Sequence, residues 1–301
     1  MNGERKESMK KRIISFLMCL VMAFSIVPAA AWAEVLPSAQ DAARVYVNSA
    51  DTAIRRGAGT AVSAEEAKAR IGEEDYYASL PEALEAAENG DTVTLLADHE
   101  EDVDAIMKGD LSTMAVVKKR LTLDLNGFSV DYLTVGDKAI VGEPTHDEET
   151  EEAIDQVAIT AGDLTVVDRS QGASGSIAEL EFISGRLELK SGVIGDSDGT
   201  YGDGITCAGG RDNENVTDGT YDGEITVTGG TVYSLYAKEN VTVTVTGGSG
   251  HKGNWSNDTG KMTITGGSFA DAHFSNNGGT IAISGGAFES ITNNDASAII
   301  P

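Results

Sequence analysis

Glu224-Ile-Thr-Val-Thr-Gly-Gly-Thr-Val-Tyr233, Val241-Thr-Val-Thr-Val-Thr-Gly-Gly-Ser249, Lys261-Met-Thr-Ile-Thr-Gly-Gly-Ser-Phe269 and Thr280-Ile-Ala-Ile-Ser-Gly-Gly-Ala-Phe288 are four versions of one phrase. Each alternates apolar and small polar residues and then closes on a glycine pair. The second residue of a Ser-Gly or Gly-Gly pair falls at Gly192, Gly210, Gly230, Gly248, Gly267 and Gly286, in steps of 18, 20, 18, 19 and 19 residues. A period near 20 with alternation inside it predicts a repeating unit built on a strand, stacked on its neighbours.

Aligned on that glycine, Leu187, Ile205, Ile225, Val243, Met262 and Ile281 form one column, and Leu189, Cys207, Val227, Val245, Ile264 and Ile283 a second. Strand side chains alternate faces, so both columns point inward, and Thr226, Thr228, Thr244, Thr246, Thr263 and Thr265 point outward. Ile194, Val232, Phe269 and Phe288 add a third apolar column after the bend, broken at Asp212 and Gly250, where the coils are expected to divert. About 19 residues is too short for a strand plus a full helix with connections. Regular hairpins would call for Asn-Gly or Asp-Gly loops between antiparallel runs. The prediction is an all-β fold, a right-handed parallel β-helix (a solenoid of roughly 19-residue coils), with a short capping helix. Asn240, Asn257, Asn276, Asn277, Asn293 and Asn294 are expected at turns that need a left-handed backbone.

Residues 1–33 read as a secretory signal peptide. Lys10-Lys11-Arg12 precede the apolar run Ile13 to Val27, and Ala31-Trp32-Ala33 offers a small-x-small cleavage site. Cleavage leaves 17 Lys+Arg against 46 Asp+Glu, a net charge of −29. Such a surface repels nucleic acid and anionic lipid, so neither is expected as a partner, and an extracellular location follows. Cys207 is then the one remaining cysteine; no intramolecular disulfide can form, and a buried thiol is expected. Residues 34–75 form a lead-in with a short helix opened by Ser63-Ala-Glu-Glu66. The coils run over 76–301, irregular over 76–180 and regular over 181–296. Ser79-Leu-Pro-Glu82 opens the capping helix, with Leu80, Ala83, Leu84 and Ala87 on one face and Gly90 as its stop. Thr92-Val-Thr-Leu-Leu96 follows as the first strand, and the acidic stretch Gly142 to Gln156 reads as a solvated loop.

Tyr77-Ala-Ser-Leu-Pro-Glu-Ala-Leu-Glu-Ala-Ala, Gly90-Asp-Thr-Val-Thr-Leu-Leu, Leu121-Thr-Leu-Asp-Leu-Asn-Gly127 and Leu164-Thr-Val-Val-Asp-Arg-Ser170 together resemble the opening of repeat-rich secreted surface proteins of Gram-positive, gut-type bacteria. That resemblance implies the pectin-lyase-like superfold, which hosts lyases, hydrolases, adhesins and inert stalks. Such proteins continue into a wall anchor, whereas this chain ends at Ala298-Ile-Ile-Pro301. That ending reads as a truncated frame or a fragment.

Two groups of residues are candidate sites. Asp196, Asp198, Asp203, Asp212, Asp218 and Asp222, with Glu214 and Glu224 nearby, would converge on neighbouring coils as a Ca²⁺ site. The competing reading is Asp-Gly turns on an acidic surface. Tyr201, Tyr221, Tyr233, Tyr236, His251 and Trp255 would hold sugars by ring stacking, against a competing role in core packing. Lyase chemistry needs a base beside a Ca²⁺-loading cluster, for which Arg211 is the adjacent candidate. The motifs of polygalacturonase-like hydrolases are missing: Gly250-His251-Lys252-Gly253 carries half of one, and no Asp-Asp pair occurs. The expectation is a secreted or cell-surface stalk or adhesin-like module without catalytic activity or an obligate cofactor, engaging carbohydrate or a host or cell-wall surface. A Ca²⁺-dependent polysaccharide lyase or other glycan-active enzyme is the alternative.

Overall fold

The computed structural model describes residues 62–102, 106, 111–146, 153–195, 204–208, 214–238, 240–250 and 254–293. Residues 1–33, read above as a signal peptide, and most of the expected lead-in lie outside them. Among the described residues the chain is all-β, with twenty-five strands and the short helix Leu80–Ala86. None of the described helices is long and apolar enough to cross a membrane.

Two long sheets take most of the strands. In the first, Thr92–Leu95, Arg120–Asp124, Gly162–Val167, Gly185–Leu189, Gly223–Val227, Val241–Val245, Lys261–Ile264 and Thr280–Ile283 follow one another in chain order, every pair parallel. Leu121, Leu164, Leu187, Ile225, Val243, Met262 and Ile281 are in register across it, as are Leu123, Val166, Leu189, Val227, Val245, Ile264 and Ile283. All are buried. Such columns hold because a lone strand leaves one apolar face wet, and burial contributes about 25 cal/mol per Å². The second sheet is also parallel and carries Leu133, Leu180, Ile205, Leu235, Trp255 and Phe274 as its inward column. The chain visits the two sheets in alternation, and their inward columns share one core.

The sequence reading needs correcting at Ile205 and Cys207. They lie in the strand Gly204–Cys207, whose neighbours are Leu180 and Phe182 on one side and Leu235 on the other, all in the second sheet. In the first sheet Leu187 pairs directly with Ile225, 38 residues on. Ile205-Thr-Cys207 followed by Gly209-Gly210 imitates the repeat, and two circuits counted from that imitation are one long circuit. The supposed break at Asp212 is therefore no break in a column. The extra length contributes Glu214–Asp218 to a side sheet with Asp137–Ile140 and Ala153–Thr160. There Val157, Ile159, Ile183 and Tyr221 form a satellite core. Gly142 to Gln156 is accordingly not a plain loop, since Thr145–His146 pairs antiparallel with residues 153–154.

Leu80–Ala86 forms where expected. Ser79 accepts a hydrogen bond from the Glu82 backbone N–H, and Pro81 occupies the first turn, where its missing donor costs nothing. The buried Leu80, Ala83 and Leu84 pack toward Ala115–Val117 and Ala69–Ile71. Ser63 to Glu66, in contrast, makes a single turn, with Glu66 and Ala67 N–H both donating to the Ser63 carbonyl. The strand Ala69–Ile71 begins too soon after it for a helix to grow, and pairs antiparallel with Thr92–Leu95 over the edge of the first sheet. Asn240 has the left-handed backbone predicted, with φ 65°. Asn257, Asn276, Asn277 and Asn293 do not have it; Asn257 and Asn276 are instead buried at strand ends, where Asn257 Nδ2 donates to Asn276 Oδ1 at 3.0 Å and Asn276 Nδ2 to the Gly279 carbonyl at 2.8 Å.

Candidate functional site

Of the predicted site residues, Asp196, Asp198, Tyr201, Asp203, Asp212 and His251 lie outside the described residues, as does Arg211. Asp218 and Asp222 are exposed. The Asp222 carbonyl accepts from the Gly185 N–H and the Ser184 hydroxyl, a turn role. No three His, Cys, Asp or Glu side chains among the described residues converge as a metal would require.

The aromatic group divides. Trp255 is fully buried between Phe269 and Phe274, with centroids 5.3 Å from each, so it has no ring face to offer a sugar. Its size is also why the third apolar column lapses at Gly250. A Cβ there would sit 2.6 Å from Phe269 Cδ1 and 3.1 Å from Trp255 Nε1. Tyr221 is buried in the satellite core, where its hydroxyl donates to Glu214 Oε2 at 2.6 Å. Glu214 Oε1 lies 2.7 Å from Lys138 Nζ, both side chains more than nine-tenths buried, which ties the side sheet together. Tyr233 and Tyr236 are half-buried, and Tyr236 stands on the outward face of the second sheet beside Thr206 and Ser256.

Two features had no local signature in the sequence. The first is a cluster of acids on the outward side of the second sheet. Tyr132 is buried opposite Glu179, and its hydroxyl donates to Glu181 Oε2 at 2.9 Å. Burial, then the negative charges of Asp131 and Glu179, push the Glu101 carboxyl up to about 8. Its Oε1 is buried without a hydrogen-bond partner, as is Nε2 of the neighbouring His99, whose pKa burial holds down. Glu101 thus keeps its proton at neutral pH. These residues come from three separate segments, and only the pairing of Ser129–Val135 with Ser176–Phe182 brings Tyr132 to the glutamates.

The second feature is a groove along the leading edge of the first sheet, where its strands begin. Arg120, Asp163, Arg186, Glu224, Thr242, Lys261 and Thr280 stand in register as the first outward column. Beside it Gly162, Gly185 and Gly223 stack. A Cβ on Gly185 would lie 1.9 Å from the Gly162 carbonyl oxygen, so only glycine permits this approach, and the floor stays bare backbone. The result is an open groove of about 400 Å³ bordered by Lys118, Lys119, Arg120 and Arg186, with Asp163 and Glu224 between. A second hollow of about 320 Å³, lined by Asn240, Thr242 and Lys261, lies on the strands that follow.

The cations differ in their commitments. Lys119 donates to the carbonyls of Glu85 and Ala87, closing the end of the capping helix. Lys118 pairs with Asp137 at 3.2 Å, and Arg186 with Glu224 at 2.9 Å, in exposed pairs that solvent screens. Arg120 is exposed and has no ion pair among the described residues; Asn89 Oδ1 accepts from its backbone N–H alone. Four cations and two acids thus meet in a chain whose net charge is −26. No protein-family profile, no curated protein and no solved structure matches this chain.

Proposed function

We propose that the two parallel sheets wind as one right-handed parallel β-helix, and that this exported rod is a non-catalytic stalk or adhesin-like module holding carbohydrate along its leading edge. The handedness rests on a general rule: connections between parallel strands of one sheet are right-handed in the great majority of cases. Export rests on the signal-like N-terminus, the acidic charge and the sequence resemblance. The observation that carries the binding reading is the groove. It is open and bordered by charged side chains, and a second hollow lies on the strands that follow, which suits an extended hydroxyl-rich chain better than a small ligand needing enclosure. The test is binding of the exported chain to a panel of immobilised glycans, alongside assays for new reducing ends and unsaturated products. Binding without turnover supports the reading, and turnover of a bound glycan rejects the non-catalytic part.

A second reading, a glycan-active enzyme, draws support from Glu101 alone. A carboxyl that retains its proton near neutrality, with other carboxyl groups nearby, is what general-acid catalysis requires. Product formation abolished by Glu101→Gln, with binding unchanged, would favour it.

A further inference from the structure

We infer that the leading-edge groove selects glycans charged on alternate sugars, an inference that rests on the carbohydrate-binding reading above. Along the first outward column the charges run Arg120, Asp163, Arg186, Glu224. Adjacent strands are about 4.8 Å apart, so Arg120 and Arg186 stand about 9.6 Å from each other across Asp163. That interval is on the scale of a disaccharide. A chain with an anionic group on every sugar would bring one against Asp163 or Glu224, where like charges repel. A chain with a neutral, hydroxyl-rich sugar between its anionic ones meets the column differently. Each anion faces a guanidinium, which offers a forked pair of donors, and each intervening hydroxyl group donates to a carboxylate.

Three details of the site agree with this. Among the described residues Arg120 has no ion pair to surrender. Arg186 is held only by an exposed partner, Glu224, which a ligand can displace at little cost. Gly162 and Gly185 line the groove as bare backbone, which leaves a ligand room to approach the strands there. The groove also opposes the charge of the rest of the chain, and an acidic glycan repelled elsewhere is drawn to it.

The experiment is calorimetric titration of the exported chain with three oligosaccharides of equal length: hyaluronan, with a carboxylate on alternate sugars; oligogalacturonate, with one on every sugar; and a neutral cello-oligosaccharide. Hyaluronan should bind at least about tenfold more tightly than either of the others, the worth of one charge-assisted hydrogen bond. Raising salt from low to physiological strength should weaken it. Arg120→Gln with Arg186→Gln should abolish the preference at an unchanged melting temperature. Glu224→Gln, which frees Arg186 and keeps an acceptor oxygen for the sugar hydroxyl, should tighten hyaluronan binding, a gain that misfolding cannot imitate. Oligogalacturonate binding as well as hyaluronan, or a double variant that keeps the preference, overturns the inference and leaves carbohydrate binding standing. If the cello-oligosaccharide alone binds, the charge argument falls. If no glycan binds, here or on the wider panel, both readings fall.

Discussion

Gly250 provides a sharp test of how the core is packed. It pairs with Val232 in the third apolar column, where an apolar side chain is otherwise the rule. The column lapses there because Phe269 and Trp255 already fill the space, and the nearest obstacle to a Cβ is Phe269 Cδ1 at 2.6 Å. Phe269 has little freedom to retreat, since it stacks on Phe288 at 5.2 Å and meets Trp255 and Phe274 edge-on. Gly250 is not in the left-handed backbone region, so Gly250→Ala adds a packing cost and no backbone strain. We expect that overpacking to destabilise by ~1–3 kcal/mol. Phe269→Ala should cost ~3–5 kcal/mol, through lost burial and the cavity it leaves. In the double variant the new methyl group enters the vacated volume. The combined loss should therefore fall short of the sum by ~1–3 kcal/mol, as expected for residues in contact. Urea-unfolding midpoints of the four proteins measure this. Additivity within ~0.5 kcal/mol, or a Gly250→Ala protein as stable as the parent, would refute the claim that aromatic bulk explains the missing side chain.

Asp168 should matter more than a surface aspartate. Burial raises its pKa, but hydrogen bonds from Ser170, Gly175 and Gly127 outweigh that and hold it below the usual carboxylate range. A depressed folded-state pKa means its stabilisation is present above the unfolded value and lost as pH falls through the folded one. Asp168→Ala should therefore lower the melting temperature at pH 7 and matter progressively less in strong acid. Glu101 has the opposite sign: with its folded pKa raised to about 8, the native state loses stability as pH climbs from about 4.5 to 8. Glu101→Gln should stabilise the chain at pH 9 and leave it nearly unchanged at pH 4, and thermal melts at the two pH values decide it. Cys207 is fully buried and its thiol is pushed up to about 12 by that burial, so iodoacetamide should label it only in denaturant. Native-state labelling at neutral pH would contradict the burial. Asn257→Ala should destabilise by ~1–3 kcal/mol, because it strands the buried Asn276 Oδ1 that Asn257 now satisfies, while the Gly260 carbonyl keeps the Thr280 N–H. A variant as stable as the parent would count against the buried asparagine pair.

Local pattern determined a good deal by itself. Alternation of Ile225, Val227, Val243, Val245, Met262, Ile264, Ile281 and Ile283 with outward residues specifies both strand and face, because side-chain direction has a period of two wherever a strand forms. Ser79-Leu-Pro-Glu82 specifies its helix because a cap is a contact three residues long. The same local logic misjudged Ile205 and Cys207. A strand's own residues state which face is apolar and do not state which sheet it joins; that depends on which partners the intervening chain can reach. Tertiary structure alone took Trp255 from a supposed sugar platform into the core, since an aromatic beside asparagine reads alike in either place until its neighbours are known. It also created both new site features. Glu101 keeps its proton because the fold buries it and brings the charges of Asp131 and Glu179 near it, and Arg120 lines up with Arg186 through strand pairing 66 residues apart in the chain. Electrostatic and hydrogen-bond energies depend on distance in space, and a sequence records distance only along the chain.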